Sequence, residues 1–406
     1  MFSQGFACLY EFLGFFPSWK TIQNWILRIG LFKILKRKEK ANDWIFIVDF
    51  KVQAGRQKCL IVLGVRMQEL IERSKERGSL CVLHEDMHPL GVYAMEKSSG
   101  ERIAKILEEI SEQTGPAYQV IADHGSDVNK GLRIYCESNQ ECVNTYDIVH
   151  KLAVLLGAEL KNDGLFDEII TRMNETKQKT KQSSEAPLAP PRIRDKARFM
   201  NLDIQIDWLE DIERLLGIEI LDENKDQIYE KLGWVLDYKE IIKELKEIIA
   251  VIKIARNLIR EKGLYRRSCL DFSKEVKRLG DSLSERTLNF ARKIFLFLYH
   301  EGRQVPLDQI MLGSSEGIES IIGKYKQIEE RTTATKSMTA NLLAIGAMTG
   351  SNTIEMIREA LIEVPTKMID EWKDQWIGES DLSRRQRLLG KCNNVGSKAL
   401  VNLWVA

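Results

Sequence analysis

Between residues 43 and 160, short apolar runs alternate with amphipathic stretches in one order: three strands, a helix, a strand, a helix, a strand and a helix. That order leaves few folds open. Strands read at residues 44–50, 58–65, 90–95, 118–123 and 142–146. Helices read at 100–114, from Ser126 and from Asp147. The early strands follow one another closely, as antiparallel neighbours do. Each later strand follows a helix, which is how parallel strands are joined. The expected fold is therefore α/β, with a mixed five-stranded sheet flanked by helices.

This is the order of a ribonuclease-H-like core, in which the first and fourth strands are neighbours. Two aspartates end strongly apolar strands in this region. Asp49 closes Trp44-Ile45-Phe46-Ile47-Val48, and Asp123 closes Gln119-Val120-Ile121-Ala122. On neighbouring strands the two carboxylates converge. A carboxylate pair with a third acid from a helix is the ligand set of a two-metal phosphoryl-transfer site, where magnesium ions about 3.5–4 Å apart prefer oxygen ligands. The third acid reads as Glu319. On the helix spanning residues 314–327, Ile318, Ile321, Ile322 and Tyr325 form the apolar arc. Glu319 and Lys326 are only about 20° apart around the axis, with Gly323 beside them. Glu316 also flanks Gly323 and is the rival. The bland alternatives are an Asp123 that organises its own turn and a solvated helix face at Glu319.

The chain is long enough for two or three domains at 406 residues, and 44% of it is hydrophobic. Net charge is only +1, yet residues 18–66 hold eleven Lys/Arg against three Asp/Glu, and residues 172–200 hold eight against three. Such blocks suit a polyanion. Seven cysteines without a Cys-x-x-Cys pair give neither a zinc signature nor a disulfide framework. No uncharged run reaches transmembrane length and no signal peptide is read, so a cytoplasmic, nucleoid-associated protein is expected.

Residues 1–40 read as a helix-turn-helix-like segment. Leu9, Phe12 and Leu13 mark a first helix, and Ser18 caps a second over residues 19–28, whose polar side carries Lys20 and Arg28 for a DNA groove. The first part of the core covers 41–176, a basic Pro-containing linker 177–199, a helical insertion 200–312, the completion of the core with the glutamate helix 313–365, and a helical tail 366–406. Within the helical region residues 239–262 form a long helix stopping at Gly263, and Leu283 to Tyr299 a second. Asp147 reads as a helix cap with His150 behind it. The cluster His84, Glu85, Asp86, His88 lacks ligand spacing and reads as a loop. Trp208 and Trp234 read as core residues more readily than as base-stacking platforms.

The chain resembles bacterial insertion-sequence transposases of the Asp-Asp-Glu class over nearly its whole length. The resemblance rests on Gln57-Lys58-Cys59-Leu60-Ile61-Val62-Leu63-Gly64, Ala122-Asp123-His124-Gly125-Ser126-Asp127, Tyr146-Asp147-Ile148-Val149-His150-Lys151, Gly313-Ser314-Ser315-Glu316-Gly317-Ile318-Glu319-Ser320 and Gly323-Lys324-Tyr325-Lys326. It implies Asp49, Asp123 and Glu319 as catalytic and metal-binding acids, two Mg2+ ions with Mn2+ as a substitute, and Lys324 and Lys326 as DNA contacts beside Lys20 and Arg28. It also implies cleavage of element ends in duplex DNA, joining of the 3′-hydroxyl to target DNA, and a homo-oligomer on DNA without membrane attachment. One large subgroup carries Tyr and Arg seven and four residues before the glutamate; here those positions hold Leu312 and Ser315, which keeps Glu316 in play. A catalytically inactive, truncated DNA-binding derivative is the alternative function, and a nuclease that cuts without joining is a third.

Overall fold

The computed structural model describes residues 17–54, 57–123, 125–192, 201–217, 225–280, 282–332, 338–378 and 387. Contacts divide the chain into two compact units, one of Met1–Arg77, Cys81–Asn144 and Ser315–Ala406, the other of Gly78–Leu80 and Thr145–Ser314.

The first unit opens with helix α1 (Trp19–Leu35), followed by β1 (Trp44–Ala54), β2 (Gln57–Arg66), α2 (Met67–Arg77), β3 (Met87–Met95), α3 (Gly100–Thr114), β4 (Ala117–Ala122) and α4 (Ser126–Ser138). With β5 (Val143–Tyr146) the strands form one sheet in the order β3-β2-β1-β4-β5. β2 runs antiparallel to both β1 and β3, while β4 runs parallel to β1. This is the strand order expected from the sequence, with the first and fourth strands adjacent. β1 is apolar on both faces because both faces are covered. Trp44, Phe46 and Val48 join Val120 and Ala122 in a core with Ile103, Leu107 and Ile110 of α3 and Leu132 and Tyr135 of α4. The buried Tyr135 hydroxyl accepts the Ala117 N–H at 2.9 Å and lies 2.6 Å from Ser111 Oγ, so its polar atom is satisfied.

Helix α2 had no counterpart in the sequence reading. Its residues Met-Gln-Glu-Leu-Ile-Glu-Arg-Ser-Lys-Glu-Arg are mostly polar and only Met67 and Leu70 are buried, so there is little apolar period to detect. β3 starts three residues before the expected Leu90 and carries Pro89, which an edge strand tolerates.

Helix α1 corrects the N-terminal picture. Ser18 caps it as expected, accepting the Thr21 N–H at 3.1 Å. The helix does not end near Arg28, however, but continues to Leu35 through Gly30. A Cβ at Gly30 would fall 1.8 Å from the Leu343 carbonyl oxygen, so glycine is there for close backbone approach rather than as a stop. Arg28 reaches the carbonyls of Leu361 and Val364. The helix is packed into the first unit, and the helix expected before it lies outside the described residues.

The second unit is helical: α5 (Ile148–Leu160), α6 (Gly164–Thr180), α7 (Leu202–Gly217), α8 (Lys225–Leu232), α9 (Lys239–Lys262), α10 (Ser268–Lys277) and α11 (Glu285–Gln304). α9 stops where the sequence places its end, at Gly263 with φ +74°, whose N–H returns to Ile259 O. The unit begins at Thr145 rather than at residue 200. Charge pairs distant in sequence bind its first helices to α11: Arg286 meets Glu159 at 3.1 Å and Asp163 at 2.7 Å, and Lys293 meets Glu159 at 2.7 Å. Of the expected linker 177–199, residues 177–192 are described and are packed, and 193–199 lie outside the described residues. α6 runs to Thr180, buried Glu185 pairs with Lys231 at 2.6 Å, and Trp208 Nε1 donates to Leu188 O.

The first unit resumes with α12 (Glu316–Thr332), α13 (Ala344–Ala347), α14 (Ile354–Glu363) and α15 (Thr366–Trp376). The last three pack on α1, and Trp376 meets Tyr93 edge-on at 5.0 Å, so the described part of the expected tail belongs to this unit.

Two glycine substitutions separate close approach from simple flexibility. Gly30→Ala is expected to destabilise by about 1–3 kcal/mol through overpacking. Gly157→Ala, in α5 with no atom within 4 Å of the added methyl, is expected to stabilise by about 0.5–1 kcal/mol. Urea unfolding of the two variants beside wild type measures both signs.

Candidate active site

The parallel pairing of β1 with β4 sets the positions of the two aspartates. Val48 is the register partner of Ala122 on strands roughly 4.8 Å apart, so Asp49, next along β1, and Asp123, the residue after β4, follow a level pair. Val48 and Ala122 point into the core under α3 and α4. Alternation along the strand therefore turns Asp49 to the opposite face. Asp49 is only 5% exposed. Asp123 is half-buried just past the end of β4, and its Oδ1 accepts the Gly125 N–H at 3.2 Å. It organises its turn, as one sequence reading had it, and that bond also fixes the carboxylate.

Helix α12 packs against β1 with Ile318, Ile321, Ile322 and Tyr325 buried, the arc expected from the sequence. Tyr325 donates to Glu329 Oε1 at 3.0 Å. Burial pushes its hydroxyl pKa up, and the charges of Glu329 and Cys59 add to that. Cys59 alternates with the core-facing Leu60, so Tyr325 lies over the face of the sheet that carries Asp49.

The first turns of α12 are oriented by a second set of contacts. Gly317 lies against Met87 and the Val82 carbonyl. His84 Nε2 is 3.0 Å from Ser320 Oγ, and its Nδ1 is 3.3 Å from Lys324 Nζ. Burial, then the Lys324 charge, lowers the His84 pKa. Gly317, Ser320 and Lys324 thus face the segment leading into β3. Glu319 and Lys326 lie about 140° around the helix from them, on the flank turned away from that segment, with Glu319 half-buried and Lys326 exposed. Glu316 lies between the two flanks and its Oε2 is buried. Lys324 and Lys326 therefore do not share a surface.

A hard divalent cation suits this donor chemistry, one carboxylate in mid-β1, where the strand runs on past Asp49 to Ala54, one just after β4, and two more on the helix packed against β1. Among the described residues no group of three or more His, Cys, Asp or Glu is arranged to hold a metal ion as it stands. The structure thus brings Asp49 and Asp123 level without a completed three-ligand shell.

The other candidates have local explanations. Asp86, buried, accepts from Arg73 at 2.8 Å, Arg77 at 2.7 Å and the Leu83 N–H at 2.8 Å, so the His84–His88 cluster is not the expected loop but a short 3-10 helix, His84–Asp86, held by ion pairs, with His88 in β3. Burial alone would raise the Asp86 pKa, but the bonds from Arg77, Leu83 and Arg73 outweigh it and hold the carboxyl below its ordinary range. Asp147 caps α5, accepting the Val149 and His150 N–H groups at 2.7 and 3.3 Å. Trp208 and Trp234 lie 6.5 Å apart, and both indole N–H groups donate within the chain. Lys20 is exposed. No described helix is long and apolar enough to cross a membrane.

No protein-family model and no curated protein sequence matches the chain. Among solved structures, the chain is similar to one from the Drosophila P element transposase strand transfer complex, at 12% identity and a TM-score of 0.42, covering 88% of this chain and 90% of that one. So loose a likeness adds nothing to the role of any residue.

Asp86 gives a pH test of the loop that supports α12. A carboxyl held below its ordinary pKa stabilises the fold above that value, and the stabilisation is lost as pH falls through the folded-state pKa. Asp86→Asn is expected to cost about 2 kcal/mol at pH 7 and to lose less stability than wild type below about pH 4. Denaturant midpoints between pH 3 and 7 check both.

Proposed function

We propose that the protein is a DNA transposase of the Asp-Asp-Glu class, cleaving DNA at element ends and joining the freed 3′-hydroxyl to target DNA. The observation that carries this reading is the β1–β4 register of a 3-2-1-4-5 sheet, in which Val48 pairs with Ala122 and the residues that follow the pair are Asp49 and Asp123. Asp49, Asp123 and Glu319 would hold two Mg2+ ions, or Mn2+ in their place. Bound there, the ions would supply charge neutralisation at the scissile phosphate and a lowered pKa for the attacking water.

This chain's residues have separate tasks in that reaction. Asp49, buried in the sheet, cannot swing away. Asp123 is positioned by the Gly125 amide. Glu319, on the α12 flank turned away from the β3 approach, is the third acid, with Glu316 as its rival. Lys326, exposed on the same flank, is placed to contact a backbone phosphate. In cleavage, water attacks phosphorus in line and the 3′-oxygen leaves with a proton. In joining, that 3′-hydroxyl attacks a target phosphodiester and displaces the next 3′-oxygen. Two ends must react together, so a homo-oligomer on duplex DNA belongs to the proposal.

The test incubates purified protein and Mg2+ with labelled duplex carrying the DNA that borders the coding sequence. Asp49→Asn and Asp123→Asn are each expected to lower cleavage by roughly a hundredfold or more and to weaken Mn2+ binding measured by calorimetry. Cleavage that survives in Asp123→Asn overturns the site. An inactive Glu316→Gln beside an active Glu319→Gln moves the third acid to Glu316. Tight DNA binding by a wild type that never cuts favours the non-catalytic DNA-binding derivative.

A further inference from the structure

The basic block near the N-terminus folds into a cavity apart from the carboxylates. Lys33, Lys36, Arg37, Lys38 and Arg66 line a space of about 340 Å³, with Glu39 and Glu69 as the acidic lining residues among the described residues. Trp44, Met87, Pro89 and Met356 supply an apolar wall. That volume is in the range of small-ligand pockets.

The carboxylates are already engaged. Arg66 pairs with Asp43 at 2.5 Å and Glu39 at 2.9 Å, and Glu69 pairs with Arg73 at 3.5 Å. Lys33 and Lys38 are different. Lys33, 8% exposed, donates to the Thr349 carbonyl, and Lys38 donates to the carbonyls of Lys33 and Lys36 at 2.7 Å each. Among the described residues no carboxylate pairs with either ammonium. Burial lowers both to about 8, with the Lys36 charge adding to the effect on Lys38. His88 is lowered to about 4, by burial first and then by Lys38, Arg73, Arg66 and Lys33. Gly350, at φ +62°, brings the backbone past this point, and a Cβ there would lie 3.8 Å from Lys33 Nζ. Lys33 is buried and Lys38 half-buried, and cations withdrawn from water against carbonyls, without a matching anion, are costly unless a counter-charge arrives.

We propose that this cavity is a phosphate-binding site, taking a free phosphate or the phosphate group of a larger ligand against Lys33 and Lys38, with Lys36 and Arg37 at its exposed rim. The site stands independently of the carboxylate chemistry.

Calorimetric titration of the full chain with inorganic phosphate, at constant ionic strength and with chloride as the control ion, tests this directly. Saturable binding is expected in wild type, about tenfold weaker or worse in Lys33→Met, a loss of about 1.4 kcal/mol. It is also expected to be weaker in the rim double variant Lys36→Ala/Arg37→Ala, which removes two exposed side chains, with them the Lys36–Glu359 pair and the Lys36 contact over the Phe32 ring, and leaves Lys33 and Lys38 in place. Wild type that binds phosphate no better than chloride, or binding unchanged in both variants, overturns the proposal. Competition by duplexes then identifies the source. Competition by 5′-phosphorylated ends alone assigns a terminal monoester, competition by 5′-hydroxyl ends as well assigns a backbone phosphate, and competition by neither assigns a small free phosphate. Asp49→Asn and Asp123→Asn are expected to bind phosphate as wild type does, so failure here and failure of the transposase reading are separable.

Discussion

The parallel pairing of β1 with β4 is the constraint on which the rest of the first unit depends. It places Trp44, Phe46 and Val48 beside Val120 and Ala122 on the face covered by α3 and α4. Burying each large apolar side chain there contributes about 1.5–3 kcal/mol. A slip of one residue would turn that set outward. The same register keeps Asp49 level with Asp123, so the apolar packing that stabilises the sheet also positions the carboxylates. The two cannot be separated.

Around that sheet, ion pairs and close helix contacts fix what the apolar core leaves free. Arg73 and Arg77 clamp Asp86, which holds the segment before β3 against the first turns of α12. Gly30 lets α1 approach the Leu343 backbone, and that packing brings Lys33 beside Thr349 and forms one wall of the basic cavity. In the second unit Arg286 ties α5 and α6 to α11 through Glu159 and Asp163. Except for the clamp on Asp86, the partners are more than a hundred residues apart in the chain.

Much of the sheet was legible in the sequence because strands announce themselves locally. The run before Asp123 matched β4, the run before Asp49 matched the start of β1, which continues to Ala54, and α9 stopped at the glycine that caps it. The apolar arc of α12 was legible for the same reason. Helix α2 was missed because its buried side chains are too few to set a period. The packing of residues 177–192 is not legible in the sequence because polarity hides pairs such as Glu185–Lys231. Arg28 was read as a DNA contact because a basic residue on a polar helix face looks free until its partners, the Leu361 and Val364 carbonyls, are known.

By itself the sequence determined the five strands and most of the helices between them, the helix caps at Ser18 and Asp147, and the acids that follow the apolar runs of β1 and β4, since each depends on residues within a turn or two of one another. The tertiary structure decided which flank of α12 carries Glu319 and which carries Lys324, where the helical unit begins, and how one basic block divides into an in-chain bond at Arg28 and a cavity around Lys33 and Lys38. Those outcomes depend on partners up to hundreds of residues away. Local pattern does not encode such contacts, because a side chain's charge and polarity are the same whether it meets water, a carbonyl or a ligand.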